Sequence, residues 1–195
     1  MNKILIINGH PAKNSFCDAI SKTYAETAAG KGKEVAVLNL YDLDFNLNFT
    51  GSYNREMHTG DEKDLLQARE KIIWAQHLVI VHPVWWGSVP ALLKGFLDRV
   101  LIPGFAFKYK KNSPFWDKLL SGRTATLIYT ADTPVWYYNL VYRAPSVNMM
   151  RDRVLGFCGI KTRSILGFGS LRFSNDGQRK KWLHKVEKLA SKEAS

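Results

Sequence analysis

Three stretches of this chain carry the residue types from which a ligand site could be built, and each follows an apolar run. The first is Asn8-Gly9-His10-Pro11-Ala12-Lys13-Asn14-Ser15-Phe16-Cys17. It leads into a segment of helical periodicity, and the unpaired N–H groups and dipole of a helix N-terminus favour an anion. His10 and Ser15 add side-chain donors for a phosphate without a metal, although Ser15 is equally a good N-cap. The stretch is neither Gly-x-Gly-x-x-Gly nor a Walker loop, so the common dinucleotide and triphosphate motifs lack support. The second stretch is His82-Pro83-Val84-Trp85-Trp86-Gly87-Ser88-Val89-Pro90. Two adjacent tryptophans at a strand end cannot both enter the core, and rings of that size make a wall for a flat heteroaromatic ligand. Gly87 lets the backbone approach such a ligand closely. The plainer alternative is a packing anchor for the next helix. The third stretch, Thr130-Ala131-Asp132-Thr133-Pro134, runs on into Val135-Trp136-Tyr137-Tyr138.

The elements that position these stretches alternate in type. Ile4-Leu5-Ile6-Ile7 reads as a strand buried on both faces. Ala19, Ile20, Tyr24 and Ala28 recur at helical spacing, and Gly30 or Gly32 ends that helix. Strands follow at 35–38, 78–81, 124–129 and 163–168. Residues 41–60 read as loop with a short helix, and Asp61 is placed to cap a helix running to about Ala75. Pro90 suits the first turn of a helix ending near Leu101, and a last helix starts near Gln178. This order predicts an α/β fold with a parallel sheet covered on both faces. Five strands suit the flavodoxin-like three-layer sandwich, order 2-1-3-4-5, whose ligands bind beyond the carboxyl ends of the strands. All three stretches lie there.

The 195 residues suit one domain, 1–195, with no linker or repeat to divide them. Met1-Asn2-Lys3 leads into a short apolar run without a cleavage site, so no signal peptide is expected. No apolar run approaches the ~20 residues of a membrane helix. Cys17 and Cys158 stand far apart, without metal-ligand spacing. The expectation is a reduced, cytoplasmic protein with no disulfide and no metal. The net charge of +11 raises nucleic-acid binding as a reading. The charge is dispersed, however. Its local excess at Arg179, Lys180, Lys181, Lys185, Lys188 and Lys192 falls opposite Trp182, Val186 and Leu189, as on the solvated face of a terminal helix. A basic surface that attracts anionic ligands such as dinucleotides is the simpler account, and no nucleic-acid partner is expected.

His10 with Ser15-Phe16, then the block from Pro83 through Trp85-Trp86-Gly87 to Val100, resembles the NAD(P)H dehydrogenase (quinone) family of the DT-diaphorase type. Gly104-Phe105-Ala106-Phe107 and Phe157-Cys158-Gly159 resemble its later segments, so the likeness spans nearly the whole chain. The resemblance implies a flavin cofactor, FAD preferred over FMN, with NAD(P)H as donor and a quinone-like planar acceptor using the same slot in ping-pong turn. It implies that Pro83, Val84, Trp85, Trp86 and Gly87 hold the flavin ring, and that His10, Ser15, Phe16 and Cys17 lie by its phosphates. Thr130, Ala131, Asp132 and Tyr137 complete the cofactor site. His82, Trp85, Trp86, Tyr137 and Tyr138 are expected to line the slot. A homodimer is implied, with Tyr53 and its neighbours loosely placed at a shared site. In the family a His follows the Tyr matched by Tyr137. Here that position holds Arg143, and Asp132 stands where a Gly is usual. Arg143 can supply a fixed cation where charge builds on a reduced flavin, with Tyr137 as its catalytic companion; its alternative is a surface ion pair. An ancillary subunit of a potassium-efflux system and a flavodoxin-like electron carrier remain as alternatives.

Overall fold

The computed structural model describes residues 2–48 and 62–195. The continuous apolar runs become parallel strands because residues buried on both faces need a sheet covered on both sides. These are β1 (Lys3–Asn8), β2 (Glu34–Asn39), β3 (His77–Pro83), β6 (Thr124–Thr130) and β7 (Lys161–Phe168). They form one five-stranded sheet in the order β2-β1-β3-β6-β7, every pair parallel. That is the flavodoxin-like order expected from the sequence.

On one face α1 (Phe16–Gly30) and the terminal α7 (Asp176–Ala194) bury Ile20, Tyr24, Trp182 and Val186 against Ile4, Ile6, Val79 and Val81. On the other, α2 (Lys63–Trp74) and α3 (Ala91–Val100) bury Leu65, Ile72, Leu93 and Phe96 against Leu5, Ile7, Leu78 and Ile80. Helix α2 starts at Lys63 with Glu62 at its cap; Asp61 and Tyr53 lie outside the described residues. Pro90 sits at the N-cap of α3, one residue earlier than expected, because its ψ of 149° is still extended.

Between α3 and β6 an antiparallel hairpin pairs β4 (Phe107–Tyr109) with β5 (Trp116–Lys118). Strands of three residues are too short to show alternation, and the sequence gives no sign of them. After β6 come α4 (Val135–Leu140), α5 (Pro145–Asn148), a π-helical stretch at Met149–Leu155 and α6 (Gly156–Cys158). No described helix is long and apolar enough to cross a membrane.

At the opposite end of the sheet from the loops of interest, α7 is pinned through a buried carboxylate. Glu193 accepts from Tyr24 Oη at 2.6 Å and Thr126 Oγ1 at 2.7 Å. Burial raises its pKa, but the hydroxyls of Tyr24 and Thr126, with His77 Nε2 3.6 Å from it, outweigh that and hold it down at about 2.

Candidate active site

Four loops meet beyond the carboxyl ends of β1, β3, β6 and β7. The first is locked by polar contacts of its own. Ser15 caps α1: Asp18 N–H donates to Ser15 Oγ and Ser15 N–H donates to the Asp18 carboxylate at 3.0 Å, a reciprocal capping box. Asn8, fully buried, donates to the same carboxylate and accepts the His10 N–H at 3.1 Å. Asp18 thus occupies the Ser15 amide, which leaves the first-turn amides of Phe16 and Cys17 as the orphan donors of the helix. His10 Nδ1 lies 3.0 Å from the Ala12 N and 3.1 Å from the Ala12 carbonyl oxygen, which ties the ring to its own loop, with the hydrogen-bond roles set by the tautomer.

Cys17 is buried, and desolvation pushes its thiol up to about 12, with Thr130 Oγ1 3.7 Å away. It remains a neutral thiol in the wall, with no nucleophilic role. Phe16 packs edge-on against Phe168 and tilted against Trp182, which anchors the helix start to α7.

The second loop is a tight reversal. Trp85 N–H donates to Ser88 O, and Ser88 N–H donates back to Trp85 O, both at 2.9 Å. Trp86 and Gly87 between them have φ of 51° and 74°, the positive pair of a type I′ turn. Gly87 adopts this conformation freely, whereas a tryptophan held there costs on the order of 1–3 kcal/mol. Its ring is fully solvent-exposed at 104%. Strain combined with an exposed indole marks a surface shaped for a ligand. Trp85, also exposed, packs edge-on against His10 with ring centroids 5.7 Å apart. The expectation that the two indoles do not both enter the core holds, and in fact neither does.

The third loop is fastened to a fourth that the sequence reading overlooked, residues 169–173 after β7. Ala131 N–H donates to Phe168 O, Leu171 N–H to Ala131 O and Arg172 N–H to Asp132 Oδ1 at 2.9 Å. A methyl group on Gly169 would lie 2.5 Å from Val135 N and 2.6 Å from Thr133 O. The rule that ligands gather at strand carboxyl ends applied to β7 as well and could have found this loop.

Two clefts result. A narrow one of about 100 Å³ is lined by His10, Phe16, Cys17, Thr130 and Leu171, with Pro83 and Trp85 on its far wall. A wider one of about 490 Å³ is lined by Trp86, Gly87, Thr133, Tyr138, Tyr142 and Pro145. Val84, Ala131 and Asp132 line both. Tyr142 and Pro145 were not expected from the sequence. Tyr137 packs edge-on against Tyr142 at 5.0 Å and lines neither cleft. Arg143 is exposed between Tyr142 and Pro145, and with Ala144 it forms a consecutive left-handed pair, φ 58° and 45°. No ion pair involves Arg143 among the described residues.

Two slot residues are corrected, Tyr137 and His82. His82 is fully buried and lines neither cleft: its Nδ1 donates to Pro83 O at 3.0 Å, and burial lowers its pKa to about 4. It follows Leu78 and Ile80 on the inner face of β3, where alternation turns it away from the loops. Tyr138 lines the wider cleft as expected, although it is otherwise buried. Its hydroxyl is spent on Ser146, Oη to Oγ 2.6 Å, which fixes the start of α5.

A doubly wound parallel sheet with clefts beyond the carboxyl ends of its strands, where a capped helix start and exposed indoles meet, defines the flavodoxin-like class. Residues 2–190 match the family model described as flavodoxin-like fold, and the chain belongs to that family. It is 30% identical over 179 residues to an uncharacterized NAD(P)H oxidoreductase of Haemophilus influenzae, covering 90% of this chain and 88% of that one. It is 28% identical over 219 residues to ribosyldihydronicotinamide dehydrogenase [quinone] of Mus musculus, covering 98% and 93%. The crystal structure of Smu.1420 from Streptococcus mutans superimposes with a TM-score of 0.84 at 30% identity, covering 97% of this chain and 99% of that one. The family resemblance read from the Pro83–Val100 block stands.

The residues present fit a flavin. The His10 imidazole and the helix-start amides suit a phosphate. The cleft beside Trp86 lies within the ~300–1,000 Å³ of small-molecule sites, and the left-handed Gly87 leaves its backbone open to a ring edge.

Proposed function

We propose that this chain is a flavin-dependent NAD(P)H oxidoreductase acting on quinone-like or other planar acceptors, with residues 1–195 as one flavin-binding domain. The observation that carries this reading is the pair of clefts sharing Val84, Ala131 and Asp132, with anion donors beside one and the strained Trp86-Gly87 turn beside the other. The names of the relatives supply the donor and acceptor classes.

A bound flavin would supply the redox chemistry, taking two electrons and a proton from the nicotinamide and passing them to the acceptor. The chain does the rest. His10 and the α1 amides hold the phosphate; FAD is favoured, with FMN as the alternative. Val84 and the indoles exclude water and orient a flat ring, and a single open face obliges donor and acceptor to use it in turn. Arg143, next in sequence to the cleft residue Tyr142, would offer a fixed positive charge where electron gain builds negative charge. The exposed Trp86, Trp136 and Leu140 support a homodimer, and the two free cysteines support a reducing, cytoplasmic setting.

Purified protein should carry a flavin absorption spectrum, and mass analysis of the released group identifies it. His10→Ala should weaken flavin binding about 10- to 100-fold, the worth of a hydrogen bond to a charged group, with the melting temperature unchanged. An unaltered dissociation constant would assign the phosphate to the backbone alone. Arg143→Ala should slow NAD(P)H oxidation by ~10-fold in stopped flow, less than the full loss of a preorganised donor, at unchanged flavin affinity. Arg143→Lys should recover part of the rate, since an ammonium lacks the planar fork. A parent-like rate in Arg143→Ala would make the residue a surface charge.

A further inference from the structure

The two clefts share one side chain that can accept a hydrogen bond. Val84 and Ala131 present only hydrocarbon there, and the third shared residue is Asp132. Its carboxylate is held in place, because Arg172 N–H donates to Oδ1 at 2.9 Å. Oδ2 has no hydrogen-bond partner among the described residues, and the side chain is exposed.

A carboxylate is an acceptor only, so it repels a phosphate and attracts O–H or N–H donors. A flavin nucleotide carries a phosphate at one end, a flat ring at the other and a chain of hydroxyl groups between them. With phosphate donors beside the narrow cleft and the indole beside the wide one, the wall common to both faces that chain. On the flavin reading above, we propose that Asp132 is a positioning residue that grips the polyol linker of the cofactor, Oδ2 accepting its hydroxyl groups. The residue thereby selects ligands whose phosphate and ring are joined by a hydroxylated chain. This grip also gives the contact between Asp132 and Arg172 a purpose beyond joining two loops: it fixes the direction in which Oδ2 points.

The test is a fluorescence titration of the full chain with FMN and with an analogue whose ring and phosphate are joined by an unsubstituted five-carbon chain. Asp132→Ala should weaken FMN binding roughly 10- to 100-fold, as expected for lost hydrogen bonds to a charged acceptor, and leave the analogue's dissociation constant unchanged. Asp132→Asn retains an acceptor for Arg172 N–H and should recover part of the FMN affinity. Thermal melts of both variants control for folding. Equal weakening of both ligands would show that Asp132 merely joins the loops, and an unchanged FMN affinity would show that it touches nothing; either result overturns the proposal. Failure of the parent chain to bind either FAD or FMN would overturn the flavin reading and this inference with it.

Discussion

Gly169→Ala should lose both stability and flavin affinity. The added methyl would meet backbone atoms, Val135 N at 2.5 Å and Thr133 O at 2.6 Å, and backbone cannot swing aside as a side chain can. The loops after β6 and β7 must separate, which strains the hydrogen bonds from Leu171 to Ala131 and from Arg172 to Asp132. Overpacking of this kind costs about 1–3 kcal/mol and occasionally more, and ~3 °C of melting temperature per kcal/mol in a chain this size. Because Ala131, Asp132 and Leu171 line the narrow cleft, flavin binding should weaken by more than ~10-fold, a loss of about 1.4 kcal/mol or more. Gly177→Ala is the control, since its methyl would find only Asn175 Oδ1 at 3.4 Å. It should be neutral or stabilising, as expected for replacing a helical glycine. A Gly169→Ala protein that melts and binds like the parent would mean that the two loops are not rigidly coupled.

Acid should unfold the protein in two stages. His82 is buried as the neutral base with its pKa lowered to about 4, whereas the unfolded chain takes up that proton near 6.5. The unfolded state therefore binds more protons between these values. Stability is full above about pH 6.5 and declines as the pH falls towards 4, by about 3 kcal/mol. Glu193, held at about 2 against an ordinary 4.5, adds a second loss of similar size. Its contribution is complete above about pH 4.5 and disappears as the pH falls through 2. Glu193→Gln should abolish the lower stage and leave the upper one. Glu193→Ala should cost about 2–5 kcal/mol at neutral pH, because the hydroxyls of Tyr24 and Thr126 would be buried without their acceptor. Urea unfolding as a function of pH measures both stages. A flat profile between pH 6.5 and 4 would show that His82 is not kept neutral by the fold.

The sequence by itself determined the sheet and the end of it that matters. Ile4-Leu5-Ile6-Ile7, Val35-Ala36-Val37-Leu38 and Leu78-Val79-Ile80-Val81 are apolar runs that only covered parallel strands can bury, and their alternation with helices places the loops after Asn8, Pro83 and Thr130 together. It also showed that Trp85 and Trp86 could not both enter the core, since a strand end offers no second buried face; the structure keeps both out. The tertiary structure decided the rest. It turned His82 inward, a matter of which face of β3 the residue falls on, and spent the Tyr138 hydroxyl on Ser146. It brought Leu171 and Arg172 against Ala131 and Asp132 from a loop about 40 residues further along the chain. Periodicity reports which face of an element is apolar, but not which loop will lie beside which. That depends on the register of neighbouring strands, and the pairing of β6 with β7, which sets Thr130 opposite Phe168, is what closes the site.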